Sequence, residues 1–291
     1  MIYLRAFNSV SAMNAYAENS ETDFMGLAYE ENNPKMFLST IANNHPYVEI
    51  GDLKWATMNV GATSETDYGL YFQWGDTQGY TADQVGSSGG GDLRKEPGDS
   101  VELKYFSWDD YKFGTEDSLT KYNDDDGLTE LELEDDAVHA AWGGDWRMPS
   151  SAEFQNLLDN TTNEWVVNYN GSGINGVLFT DNNDSSKTLF FPASGACYEG
   201  SVHYVGDRSV VWGSSLSQSY TAYVLYSSME NPDVNSYENL TKESTRDSTS
   251  QSYNAHTDYG DAPRCTGFAV RGVSGELPDP GPILAALRAT P

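Results

Sequence analysis

The sequence predicts an α+β domain, with two short helices near its middle and strands gathered toward its end. Three observations carry this expectation. Two central segments have helix caps and apolar spacing, the residues after 176 fall into apolar runs of strand length, and Gly-, Asn- and Asp-rich stretches separate them. Aromatic residues are 13% of the 291, within a total hydrophobic share of only 38%. Disordered chains do not carry that many rings, so the expected core is weighted toward aromatic side chains and wrapped in polar loops.

Residues 1–45 hold short apolar fragments (Met1–Phe7, Met25–Tyr29, Met36–Ile41) between Asn- and Glu-rich turns. They predict an arm or small sheet for attachment or oligomerisation. Asn43-Asn44-His45-Pro46 punctuates the chain, and the domain follows over 46–274. Val48-Glu49-Ile50 alternates as a strand, Gly51-Asp52 turns it, and Leu53–Ala56 is its return. Gly69–Gly75 predicts a strand with aromatic side chains on both faces. Near 78–100 the composition becomes Gly, Ser, Asp and Glu, which predicts a long solvated insertion.

The first helix is expected over Asp135–Trp142, with Asp135 or Asp136 as N-cap and Gly143-Gly144 as the stop. The second is expected over Ser151–Asn160. Ser150 and Glu153 form an S-x-x-E capping box, and Phe154, Leu157 and Leu158 share one face. Strands are then predicted at Gly176–Thr180, Thr188–Pro192, Val210–Ser214, Ala222–Tyr226 and Phe268–Val273. The stretch 229–263 has few aliphatics and no helical period, so it is expected to be a second loop insertion. Residues 275–291 form a Pro-rich tail outside the fold.

Lys and Arg total 16 against 44 Asp and Glu, a formal charge of −28. That field repels phosphate backbones and anionic lipid, so neither nucleic acid nor membrane insertion is expected; no apolar run approaches the ~18 residues of a membrane span. The opening residues lack a cationic segment followed by an apolar one, so action outside the cell would need another route, such as release in a virion. Cys197 and Cys265 are too few for a disulfide framework; free thiols and a single bridge both remain open. His45, His139, His203 and His256 are scattered, with no spacing that suggests a triad or a metalloprotease helix. Asn123-Asp124-Asp125-Asp126-Gly127 fails as an EF-hand because Tyr122 and Leu133 fall where acidic ligands are needed. An Asx-rich turn is the expected structure, with loosely bound calcium as the alternative. No other cofactor is expected, and the chain reads as non-enzymatic.

Ordered blocks across ~225 residues carry a family resemblance. They are Trp55–Ala62, Gly69–Gly75, Glu134–Ala137 with Trp142-Gly143-Gly144-Asp145-Trp146-Arg147-Met148-Pro149 and Glu153-Phe154, then Phe191–Gly195, Trp212–Ser215 and Gly267–Arg271. Together they resemble a major paralogous domain of Bacteroidota and Fibrobacter with a C-type-lectin-like fold, found in phage and retroelement-diversified binding proteins. The resemblance implies two helices, small twisted antiparallel sheets and long loops. The residues of the blocks themselves look structural: Trp142 and Trp146 should close the core beside the helices, while Arg147 and Arg271 should seek carboxylates among Asp135, Asp136 and Glu153.

It also implies a binding role, with contacts near the C-terminal strands at Tyr204–Trp212 and Tyr253–Cys265. Arg208, Trp212, Tyr253, His256, Tyr259 and Arg264 are the expected ligand-binding residues there, since aromatic, Arg and His side chains make good contact anchors. The partner would be a host cell-surface glycan or protein, with the chain displayed on a Bacteroidota phage virion. Other virion proteins would be met through the N-terminal arm, and a homotrimer is the assembly that phage fibres imply. A bacterial surface adhesin, a structural virion decoration protein and a formylglycine-generating-like oxidase are the alternatives. The sugar-binding tripeptides of calcium-dependent lectins are absent; Asn231-Pro232-Asp233 is the nearest echo and reads as a turn.

Overall fold

The structure is a computed structural model that describes residues 45–86, 103–229 and 251–275, and the strand backbones at 3–7, 24–30 and 33–41; for 251–253 it describes the backbone alone. Near the N-terminus, β1 (Tyr3–Phe7), β2 (Phe24–Glu30) and β3 (Asn33–Ile41) form a three-stranded sheet. Its first pair is parallel and its second antiparallel. Each expected apolar fragment of the arm therefore contributes to one strand.

The remaining chain is mixed α+β and dominated by strands. In order they are β4 (Tyr47–Ile50), β5 (Leu53–Asn59), the short pair β6 (Gly114–Thr115) and β7 (Ser118–Leu119), then β8 (Thr161–Val167), β9 (Gly176–Asp181) and β10 (Thr188–Pro192). A small hairpin follows, β11 (Ala196–Tyr198) and β12 (Ser201–His203), and then β13 (Arg208–Gln218), β14 (Thr221–Met229), β15 (Gln251–Pro263) and β16 (Ala269–Ser274). Two α-helices lie among the described residues, α1 (Ala137–Trp142) and α2 (Ser151–Asn160).

Nine strands make one sheet in the order β10-β9-β8-β15-β14-β13-β16-β5-β4, antiparallel except where β13 meets β16. The sheet nearly closes. Arg271 on β16 donates to the Phe190 carbonyl on β10, and Trp55 on β5 meets Phe191 on β10 edge-on at 6.5 Å.

Alternation along the central strands divides the core in two. Val210, Trp212, Ala222, Val224 and Val270 join Phe72, Trp74, Tyr122, Val138 and Trp146 on one side. Val211, Leu225, Ala269 and Val273 join Trp55, Phe154, Leu157, Trp165, Phe179 and Phe191 on the other. Strands covered on both faces read as unbroken apolar runs, which is why Val210–Ser214 and Phe268–Val273 were visible in sequence.

The second helix has the expected bounds. The Ser150 hydroxyl accepts from the Glu153 amide, and the Glu153 carboxylate accepts from the Ser150 amide. That carboxylate also receives a bidentate pair from Arg147, at 2.7 and 2.6 Å, so one buried Glu caps a helix and neutralises an arginine. The first helix starts two residues later than expected. Asp136 is its N-cap, accepting from Val138 and His139, while Leu133–Asp135 forms a 3-10 turn. Trp142 and Trp146 meet edge-on at 5.5 Å, with Trp146 buried and Trp142 half-buried.

Three expectations are corrected. Gly69–Gly75 forms no strand; only Tyr71 and Phe72 make isolated bridges, to Tyr80 and Phe268, while the aromatics of the segment are buried. The expected insertion over 229–263 contains the 13-residue strand β15, in the middle of the large sheet; residues 230–250 lie outside the described residues, as do 87–100 of the earlier insertion and the tail from 276. Arg271 finds no carboxylate. It is fully buried, donates to Asn59 Oδ1 and to the carbonyls of Ala56 and Phe190, and lies over the Phe191 ring. Burial with only neutral acceptors lowers its pKa to about 9.

Candidate binding surface

The structure sorts the expected contact residues into separate places. Trp212 is a core residue: it is fully buried, packs edge-on against Phe268, and its indole N–H donates to the Phe72 carbonyl at 2.9 Å. Arg264 is also fully buried. Its guanidinium donates to the Tyr111 hydroxyl and to the carbonyls of Tyr122, Ser219 and Lys121 at 2.8–3.0 Å, tying two loops to the sheet. Neither can reach a ligand, and both are corrected to scaffold. Tyr259 is half-buried beside Tyr223, on the β14–β15 face that carries Leu225. The Tyr253 side chain lies outside the described residues; its backbone pairs with Trp165.

Arg208 and His256 do share a surface. Arg208 lies opposite Ser228, and Ser228 lies opposite His256, so the three project from one face of adjacent strands. Tyr226, two residues before Ser228, projects from the same face between them. Its ring lies 5.9 Å from the Arg208 guanidinium carbon and 6.3 Å from the His256 ring.

The hairpin and the loop after it complete this surface. Glu199 and Gly200 both have positive φ, 50° and 70°, giving the tight two-residue turn that suits a twisted hairpin. Tyr198 and His203 then stack across it at 3.9 Å, nearly parallel. The next residue, Tyr204, is itself left-handed (φ 60°), and its carbonyl accepts from the amides of Asp207 and Arg208. That tight loop returns the chain so that Arg208 lies 3.7 Å from the Tyr204 ring centre. Gly195 makes the packing possible, because a Cβ there would stand 2.1 Å from the His203 carbonyl.

The result is a continuous ridge: Tyr198, His203, Tyr204, Arg208, Tyr226 and His256. Tyr198 and Tyr226 pack inward on the core, while Tyr204 and its neighbour Val205 are 42% and 45% exposed. The Tyr204 hydroxyl, with burial second, raises the pKa of the Tyr198 phenol. Burial raises the Asp207 carboxyl against the opposing pull of Arg208. Of the residues that the structure brings together here, sequence reasoning singled out Arg208, His256 and the Tyr204 segment. It missed Tyr198, His203 and Tyr226, whose spacing signals nothing until the hairpin and the β13–β14 register bring them together.

Other chemistry-bearing groups serve the scaffold. Cys197 and Cys265 are both free and buried; burial raises both thiols, Cys265 to about 12, leaving almost no thiolate at neutral pH. Glu132, Glu134 and Asp135 cluster closely enough to hold a cation, but the Lys121 ammonium already stands among them at 2.6, 3.0 and 2.6 Å. At Asn123–Gly127 the Asp126 carboxylate accepts from the amides of Tyr122, Asn123 and Leu128, and Asn123 Oδ1 from those of Asp125 and Asp126. Those oxygens cap an Asx-type turn, the expected alternative to calcium binding. In comparisons with protein-family models, curated proteins and solved structures, none matches this chain.

Proposed function

We propose that this chain is a non-enzymatic binding module that uses the Tyr198–His256 ridge to hold a ligand on a cell surface. One observation carries the reading: three tyrosines, two histidines and an arginine form a connected surface, positioned by two left-handed backbone turns and anchored on the core. Rings have few free rotors and the guanidinium is already held by stacking, so both lose little entropy on contact, which is what an anchor surface needs. The buried thiols and the lysine-filled acidic cluster favour binding over chemistry.

The motif blocks favour a C-type-lectin-like module within the observed α+β fold. They also favour display on a Bacteroidota phage virion, with the N-terminal three-stranded sheet as the attachment arm and the ridge-bearing segments as the zone open to diversification. The test uses labelled full-length protein on Bacteroidota cells. Tyr204→Gly removes the central ring and suits the left-handed backbone, so it should abolish cell binding without lowering the melting temperature. Cell binding equal to the parent would overturn the assignment of the ridge. Immunogold labelling of purified phage particles tests display.

A further inference from the structure

We infer that the ridge selects a saccharide bearing an isolated carboxylate, such as a terminal uronic or sialic acid, with Arg208 as the residue that clamps it. This rests on the ridge being the binding surface and deepens that reading. Arg208 is the starting point. Among the described residues its guanidinium makes no hydrogen bond and no ion pair, although the chain has 44 Asp and Glu against 16 Lys and Arg. The other described arginines differ: Arg147 holds Glu153 bidentately, while Arg264 and Arg271 are surrounded by hydrogen-bond acceptors. Arg208 is instead held by two aromatic rings, at 3.7 and 5.9 Å, and is only half-buried. Stacking fixes the plane of the guanidinium while no described residue accepts from its N–H edge, and a planar carboxylate matches that fork.

The neighbours define what should carry the carboxylate. Tyr204 is exposed beside the cation, and the Tyr198–His203 stack continues the surface next to it. The negative face of an aromatic ring suits the C–H face of a pyranose, which is broad, weakly positive and neutral overall. A densely charged polyanion fits poorly. The molecule carries −28, Asp258 shares the sheet face opposite Tyr226, and Asp207 and Glu199 lie beside the loop and the hairpin tip. A single carboxylate flanked by neutral sugar gains the Arg208 contact and avoids that repulsion.

The experiment is calorimetric titration of the full chain with glucuronic-acid- and sialic-acid-terminated oligosaccharides, each paired with its own methyl ester. Esterification keeps the ring and removes the charge. At least one acid should bind about tenfold or more tightly than its ester, the scale of one lost charge-assisted bidentate contact. Arg208→Gln should erase that preference, and Arg208→Lys should restore only part of it, since lysine keeps the charge without the fork. A melting curve for each variant separates lost binding from lost folding, and Tyr204→Gly supplies a second variant that leaves the cation in place. Equal affinity for acid and ester in every pair, no binding to any pair, or an acid preference that survives in a folded Arg208→Gln protein overturns the inference. If the sugars fail while Tyr204→Gly still abolishes cell binding, the carboxylate inference falls and the ridge stands as the binding surface; if Tyr204→Gly leaves cell binding intact, the ridge itself falls.

Discussion

Arg264, fully buried, and Arg208, half-buried, show what burial does to a guanidinium. Arg264 makes four hydrogen bonds to neutral oxygens in the interior; removing it leaves the Tyr122, Ser219 and Lys121 carbonyls without that donor and a hole beside Trp74. Arg264→Met is therefore expected to destabilise the fold by about 3 kcal/mol or more, read by urea denaturation. Protein that remains folded should bind cells as the parent does. Lost binding at unchanged stability would return Arg264 to the ligand surface. From sequence the two arginines look alike, since each stands in a polar stretch close to aromatics. Only the packing of Tyr111 and the Tyr122 loop around Arg264 tells them apart.

At the scale of elements, the loop joining β12 to β13 decides whether a ridge exists. Gly195 has φ 72°, and a Cβ would crowd the His203 carbonyl and the Val205 amide. Gly195→Ala should cost roughly 1–3 kcal/mol and weaken ligand binding, because relief of the clash must move Tyr204 and Arg208. Comparing its melting temperature and cell binding with those of the parent checks both halves. The 3-10 turn that leads into α1, with the N-cap after it, gives an acid-range prediction. Burial raises the Asp135 pKa, but the hydrogen bonds from Lys112, Lys121 and Tyr122 outweigh it and hold the pKa below its ordinary 3.8. That contribution to stability is present above pH ~4 and disappears as pH falls through the lower folded value. Asp136 has the opposite sign: burial raises it despite three backbone donors, so its part of the stability declines as pH rises through the raised folded value. Asp135→Asn should flatten the acid loss of stability and Asp136→Asn should not, as denaturation midpoints across the acid range would show.

The elements also show why some of the fold was legible and some was not. The α2 capping box involves residues three apart, so sequence alone contains it. The strands β13 and β16 are apolar on both faces and read as runs. By contrast, β15 exposes Asn254, His256, Asp258 and Gly260 on one face and carries Thr257, Tyr259 and Asp261 on the other, with no apolar alternation. It is a strand because nine registered pairs with β14, from Thr221↔Pro263 to Met229↔Ala255, satisfy its backbone. Likewise β8 was not visible, since Thr162, Asn163 and Glu164 dilute the signal of Trp165 and Val166. Half of the ridge was missed for the same reason, because Tyr226 reads in isolation as the end of a buried strand.

For the whole molecule, the charge of −28 opposes both compaction and an anionic ligand, whereas the local attraction of Arg208 for a carboxylate favours binding, and salt screens all three. Self-repulsion among 44 carboxylates disfavours the compact state, and salt screens it, with a Debye length near 30 Å at 0.01 M falling to about 8 Å at 0.15 M. The melting temperature should therefore climb as sodium chloride is raised through that interval. The Arg208–carboxylate contact lies on the surface and is itself screened, so affinity for the carboxylated sugar should fall over the same titration. The methyl ester, held by rings alone, should respond weakly. These three curves are measurable on one preparation, by differential scanning fluorimetry and calorimetry. Should salt strengthen binding of the acid, the general field would outweigh the single cation at the ridge, and the clamp would be too weak to govern selectivity.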